Sequence, residues 1–355
     1  MKYSIKIEER LYPSKIVSYY TIVLSIILAL IFGAIVIISE GANPIKSYQA
    51  IFMGAFGSRY GLSETLVKTI PLILCGVGVA IAFRMILWNI GAEGQLHIGA
   101  FTASWVALTF PYLPIYILLP LMILAGFVGG ALWALIPAIL KAALKVNEII
   151  TTLLMNYIAI LWVYYFVYGP WKDPKGYGFP LSAPFSISAQ LPRFGSSRVH
   201  LGLVFGILAA IILYFILKRT KWGYEIKVIG ENPEAAKYAG INIFKNIIIV
   251  MIISGGLAGL AGMCEVSGIT RRLQPAISPG YGYTAIIIAW LAKLNPWVII
   301  LVSFLFGGLL VGGDQIQMTM GLPLAISHII QGAILFFILG GEILNTYKIK
   351  IVKKF

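Results

Sequence analysis

The sequence predicts an all-α polytopic membrane protein with about ten transmembrane helices and both termini on the cytoplasmic side. Three observations predict it. Of 355 residues, 59% are hydrophobic and 11% charged, where a soluble domain carries about 25% charge; mean hydropathy is +0.91. A chain of this size has too much outside for a soluble fold to hide so much apolar surface. Uncharged runs of membrane-spanning length recur from end to end. Finally, the net charge of +14 is unevenly spread. With the N-terminus inside and the spans alternating, roughly two-thirds of the 27 Lys and Arg fall on inner segments, as orientation in a bilayer requires. The composition excludes a disordered chain, a disulfide-rich secreted module and a nucleic-acid-binding domain. The lipid bilayer is therefore the expected partner, and no nucleic acid is expected.

The elements follow in order within one transmembrane domain, residues 1–355. Residues 1–15 form a basic cytoplasmic N-terminus with Lys2, Lys6, Arg10 and Lys15. Ile16–Ile38 has no charge and is longer than the apolar core of a signal peptide, so it reads as a retained first span. Further spans are expected at 65–83, 90–110, 115–139, 148–168, 200–217, 246–268, 283–292, 297–316 and 325–344. The run at 283–292 is too short to cross about 30 Å of hydrocarbon as a simple helix and needs help from neighbours or a broken partner segment. An even number of crossings returns the tail, 346–355, to the cytoplasm. Residues 169–199 form an outer loop with five prolines and interleaved aromatics, suited to a cap, a docking surface or a plain interfacial loop.

Several chemistries have no residues to carry them. No G-x-x-x-x-G-K-[ST], H-E-x-x-H or G-x-S-x-G occurs. His97, His200 and His328 share no one-turn spacing, and Cys75 and Cys264 sit in apolar runs that suit packing. No span holds a ladder of acidic residues. Catalysis and ion-driven pumping are both weakly supported by the residues present, and no cofactor or metal is expected in this chain.

Four stretches carry information. The cytoplasmic loop 218–245 is the most polar segment. In it Asn232 can cap a helix opened by Pro233, with Glu234 in its first turn, small Ala235, Ala236 and Ala239 within it, and Gly240 to end it. Such a helix of about seven residues is too short to stand alone. It either folds back on the inner ends of the spans or is held in a groove of another protein. In Leu87–Phe101, L-W-N-I-G-A-E-G-Q-L-H-I-G-A-F, the glycines Gly91, Gly94 and Gly99 fall among Asn89, Glu93, Gln95 and His97. A carboxylate at membrane depth usually has a function. The stretch is either a broken helix offering polar groups to a solute or a close helix packing with Glu93 paired. In Val146–Ala159, Asn147 and Glu148 open a span along which Thr152, Asn156 and Tyr157 line a polar path or bond neighbouring helices. The last stretch, 280–341, has glycine pairs. With Gly126/Gly130 and Gly255/Gly259, Gly308/Gly312 marks close helix crossings.

The segments W-N-I-G-A-E-G-Q-L-H-I-G-A, N-E-I-I-T-T-L-L-M-N-Y-I-A, G-E-N-P-E-A-A-K-Y-A-G-I and G-Y-G-Y-T-A-I-I-I-A-W-L-A-K-L-N-P-W occur in that order along the chain. Together they resemble the permease subunits of ABC importers, in the group of ribose-type sugar, nucleoside and branched-chain amino acid permeases, over about residues 60–341. The W-N-I-G-A-E-G-Q version is most similar to the nucleoside and simple-sugar branch. Ala292 departs from the glycine that relatives often have. The resemblance implies that Gly230, Asn232, Pro233, Ala235, Ala236, Gly240 and Ile241 form the segment coupled to an ATPase. It implies a separate ATPase subunit that holds ATP and Mg, a second permease in a heterodimer, and an extracytoplasmic solute-binding lipoprotein. The setting implied is the plasma membrane of a prokaryote. A path of Asn, Gln, Thr and aromatics suits a small neutral solute. The alternatives are a branched-chain amino acid permease, an ion-coupled secondary transporter and an intramembrane enzyme.

Overall fold

The structure is a computed structural model that describes the backbone of residues 2–9 and 15–354 and the side chains of residues 20–341. Parts of the expected cytoplasmic ends (Met1, residues 10–14 and Phe355) lie outside the described residues. In chain order the elements are β1 (Lys2–Glu9), α1 (Lys15–Ser39), α2 (Pro44–Phe56), α3 (Arg59–Arg84), α4 (Ala92–Thr109), α5 (Ile115–Leu144) and α6 (Glu148–Tyr168). They continue with α7 (Gly202–Arg219), α8 (Lys221–Glu231), α9 (Pro233–Tyr238), α10 (Ile243–Glu265), α11 (Tyr281–Leu291), α12 (Pro296–Met320), α13 (Ala325–Thr346) and β2 (Tyr347–Lys354). A 3-10 turn covers Ile187–Ala189, and a π-turn, Val266–Thr270, extends α10.

Each expected span coincides with a helix. Among the described residues, seven helices are long and apolar enough to cross a membrane, and Tyr281–Leu291 and Ala325–Gly341 are shorter apolar helices. The remaining one, α4, is diluted by Glu93, Gln95 and His97 in its opening turns. Two helices were not expected. In α2, Asn43 accepts from the N–H groups of Ile45 (3.0 Å) and Lys46 (3.2 Å), and Pro44 opens the helix. The other, α8, fills the first half of the 218–245 loop and buries Gly223, Ile226, Ile229 and Gly230 on one face.

The chain divides into two compact units, Met1–Ser58 with Leu309–Phe355, and Arg59–Gly308. In the first, α1 and α13 run antiparallel. The Ser25 hydroxyl donates to the Phe337 carbonyl (2.8 Å), Gly33 lies against Ile330, and Gly341 against Thr21. The antiparallel pairing continues into β1 and β2, from Glu9↔Tyr347 to Lys2↔Lys354. Both ends of the chain thus emerge at one end of this unit, as both termini on one side of a membrane require. The outer face of α1 exposes Val23, Ile31, Ile35 and Ile38, a surface suited to lipid.

In the second unit the glycine pairs meet. Gly126 and Gly130 of α5 face Gly255 and Gly259 of α10; a Cβ at Gly259 would lie 2.9 Å from the Gly130 Cα and collide with the Gly126 carbonyl. From the other side, Gly99 of α4 presses on the Gly259 backbone. Backbones in contact gain dispersion along their length, which replaces the hydrophobic drive that lipid removes. Helix α3 is almost wholly enclosed, while α6 and α7 are mostly open to their surroundings.

Candidate functional site

Helix α3 ends at Arg84, and residues 85–91 are non-helical before α4 begins. Every backbone group freed by such a break and buried away from water needs a partner inside the protein. The amides supply them. Asn89 and Gln95 exchange two hydrogen bonds of 3.0 Å, and Asn89 Nδ2 also donates to Ser254 Oγ (2.9 Å). Its Oδ1 accepts from the Gly91 N–H at 3.0 Å. From α6, Asn156 Oδ1 accepts from the Gly94 N–H (2.8 Å), while its Nδ2 donates to the Ile90 carbonyl (2.9 Å) and Tyr283 Oη (3.2 Å). Thr152 Oγ1 accepts from the Ile90 N–H at 3.3 Å.

The eleven residues of α11 rise about 16 Å, roughly half the hydrocarbon thickness. Its C-terminal end is fixed beside that of α3, because the Arg84 guanidinium donates twice to the Leu294 carbonyl (3.0 and 3.3 Å). Its N-terminal end therefore begins partway up. There Glu93 Oε2 accepts from the Gly282 N–H at 2.7 Å. Glu93 also occupies the first turn of α4, so its carboxylate lies at the positive ends of two helices. His97 Nδ1 donates to the Glu93 carbonyl at 2.8 Å. Trp88 in the break stacks on Trp290 of α11, with ring centroids 5.6 Å apart. Lys293 (φ 49) and Leu294 (φ 56) hold the left-handed turn after α11, whereas Ala292, at φ −76, adopts a conformation open to any residue.

Asn89, Glu93, Gln95, His97, Thr152 and Asn156 thus form one cluster, none more than 3% exposed. Tyr157 does not join it. One residue on from Asn156, it is rotated by about 100° to the outer face of α6 and is 57% exposed. This corrects the expectation that it shares a side with Thr152 and Asn156. The cluster clamps the break. Asn156→Leu should cost about 3 kcal/mol, because the Gly94 N–H and Ile90 carbonyl lose their partner. Thermal denaturation in detergent reads this, and an unchanged midpoint would show that something else holds the break.

The α8–α9 segment forms at the end of the unit where α3 stops. Asn232 Oδ1 caps α9 by accepting from the Ala235 N–H (3.0 Å), Pro233 opens it, and Gly240 (φ 73) closes it in the left-handed conformation. The Ile241 N–H returns to the Ala236 carbonyl at 3.0 Å. Gly230 sits directly on the backbone of Arg84 and Met85, where any Cβ would strike the Arg84 carbonyl. Asn246 of α10 ties the segment down, accepting from Trp222 Nε1 (2.6 Å) and donating to Glu225 Oε2 (3.2 Å). Ala236 is fully buried by the chain itself, but Asn232, Pro233, Glu234, Ala235, Tyr238 and Gly240 are exposed. One side of α9 folds back, and the other is free.

The loop 169–199 is sewn to the π-turn and the residues after it. The Ser182 N–H donates to the Leu273 carbonyl (3.0 Å), the Phe185 N–H to the Arg271 carbonyl (2.8 Å), and the Arg193 guanidinium to the Gly268 carbonyl (3.1 Å). Tyr177, Phe179 and Ile187 remain exposed along its free edge. His200, outside the spans, packs its ring on Gly268 and accepts from the Gly202 N–H through Nδ1 at 3.2 Å. Burial, then the nearby Arg193 charge, pushes its pKa down to about 4 from 6.5. Protons therefore favour the unfolded state below pH 6.5, and stability should fall from there as pH drops towards 4, by about 2 kcal/mol at pH 5. His200→Gln should flatten this part of the pH–stability curve, and an unaltered curve would contradict the assignment.

Among the described residues, no group of three or more His, Cys, Asp or Glu could hold a metal ion. Long apolar helices packed through glycines, with a half-free helix at one end, define a multi-pass membrane protein. A family model described as branched-chain amino acid transport system / permease component matches residues 61–339. The chain is 37% identical to the glucose ABC transporter permease protein TsgB13 of Haloferax volcanii, covering 94% of this chain and 90% of that one. It is 35% identical to the guanosine ABC transporter permease protein NupP of Bacillus subtilis, covering 93% and 96%. A second Bacillus subtilis protein, the guanosine ABC transporter permease protein NupQ, is 30% identical, covering 65% and 74%. The chain belongs to the branched-chain amino acid transport system permease component family, and it is a multi-pass ABC transporter permease.

Proposed function

We propose that this chain and a second, different permease form the import path for a neutral nucleoside or simple sugar across the plasma membrane of a prokaryote. An extracytoplasmic binding protein delivers the solute to the free edge of the 169–199 loop. A separate ATPase, which holds ATP and Mg, grips the exposed side of α9. The observation that carries this reading is a continuous mechanical line. Gly230 rests on the Arg84–Met85 backbone, and this backbone runs into the break clamped by Asn89, Gln95, Asn156 and Glu93. A push on α9 thus reaches the break through rigid contacts and requires no chemistry in this chain. The solute passes where Tyr283, whose hydroxyl accepts from Asn156, is partly open beside the clamp, since aromatic rings suit flat bases and the apolar faces of sugars.

The solute class rests on the glucose and guanosine named for TsgB13 and NupP, and on the small number of charges near the break. The pairing rests on NupP and NupQ, two guanosine permeases of one organism that both match this chain. Uptake into vesicles containing the complete transporter tests the proposal. Labelled guanosine or glucose should compete with the unlabelled compound of the same class, and leucine should not. Uptake of leucine alone would favour the amino acid reading.

A further inference from the structure

A pocket of about 670 Å³ with lysines on its wall lies between the first turns of α8 and α10. Its wall carries the exposed Lys221 and Lys245, with Trp222, Glu225, Asn246 and Ile249. It sits where the α7 span ends at Arg219 and the α10 span begins at Ile243, the level of a bilayer's headgroups. Lys218 and Arg219 in the last turn of α7 add positive charge. Glu225 is the one acidic residue on the wall, and its Oε2 already accepts from Asn246.

A second cavity, about 320 Å³ and lined only by apolar side chains, runs between α7 and α10 over a floor of Ile123 and Phe127 from α5. Its α10 wall is Ile253, Leu257 and Leu260, and its α7 wall includes Phe205, Ala209, Ile212 and Ile216. The two cavities share one face of α10, because Ile249 of the first pocket precedes Ile253, Leu257 and Leu260 at helical spacing. A basic pocket at the headgroup level and an apolar trough thus follow one another along α10.

We propose that this is a binding site for an anionic phospholipid, its headgroup phosphate between Lys221 and Lys245 and one acyl chain along the α7–α10 trough. The charge sets the preference for an anionic headgroup, the trough sets the preference for a lipid over a free anion, and Trp222 and Tyr224 supply the aromatic rim of a membrane interface. Gly240 and Ile241 also line the pocket, so a bound lipid braces the segment that carries α9. The inference holds whichever solute the chain transports.

The test is lipid retention by the full-length chain in detergent, read by native mass spectrometry after equal additions of phosphatidylglycerol and phosphatidylcholine. The chain should keep phosphatidylglycerol selectively. The double variant Lys221→Gln, Lys245→Gln should lose retention by about thirtyfold, the effect of two interfacial lysines. Lys172→Gln with Lys175→Gln, the same change of charge in the 169–199 loop, should retain the lipid as the parent does. Ala209→Trp, which fills the trough, should also release it. Equal retention of both lipids, or undiminished retention by the Lys221/Lys245 variant, overturns the proposal. So does loss of phosphatidylglycerol to inorganic phosphate while the Ala209→Trp chain binds normally, which would mean an anion site without a lipid tail.

Discussion

Gly259→Leu is expected to abolish recovery of folded protein. Gly259 is the point where α4, α5 and α10 touch through backbone alone, with the Gly126 carbonyl, Gly130 and Gly99 all against it. A leucine there cannot be relieved by a rotamer, because the colliding atoms are main-chain. The helices must separate, which removes the contacts of Gly262 on the Leu96 carbonyl and Gly255 on Gly130 as well. The cost should exceed about 4 kcal/mol, beyond ordinary overpacking. Size-exclusion chromatography of detergent extracts reads the result, with loss of the monodisperse peak expected. Gly332→Ala is the matched control, since nothing lies within 4 Å of a Cβ at that helical site; it should elute and melt as the parent does, or slightly better. A normal peak for Gly259→Leu would mean that this crossing is looser than its geometry.

Ala235→Arg is expected to uncouple the transporter while leaving the chain intact. Ala235 is exposed on α9, so arginine there fits this chain and obstructs only what lies against it. Solute-stimulated ATPase activity of the assembled complex should fall at least about tenfold, because a long charged side chain in a close-fitting apolar contact costs more than 1.4 kcal/mol. Ala236→Arg cannot make this distinction, since Ala236 is buried by the chain itself and its replacement would damage α9 directly. Full activity and assembly in Ala235→Arg would show that the partner does not meet this side of the helix.

How far the sequence can be read depends on how local each cause is. The helix α9 was legible residue by residue, because Asn232, Pro233 and Gly240 act within one turn of their own positions. The same Asn-Pro signal stands at Asn43–Pro44, and it could have announced α2. The signal for α8 was fainter. Its buried Ile226 and Ile229 are set among Lys, Glu and Gly, and its place is decided by Gly230 meeting Arg84 far away in the chain. The short run near 283–292 signalled a helix too short to span alone, because length is a local property, and α11 has eleven residues. Its partner could not be read, since the bond from Gly282 to Glu93 joins residues 189 positions apart. In the same way the amides of 89–97 left a solute-facing break and a close, internally paired packing both open. Only the fold shows that they serve each other and Asn156, leaving Tyr157 on another face. The stitching of the outer loop to the π-turn is wholly non-local, and proline content suggested irregularity without giving a docking place.

The most direct measurement compares vesicles that contain this chain alone with vesicles that contain it together with the second permease and the ATPase, each supplied with binding protein and labelled solute. Uphill accumulation is expected only in the complete assembly and only with ATP, and neither accumulation nor nucleotide turnover with the chain alone. Concentration of solute by the isolated chain, whether driven by an ion gradient or by its own hydrolysis of ATP, would contradict it.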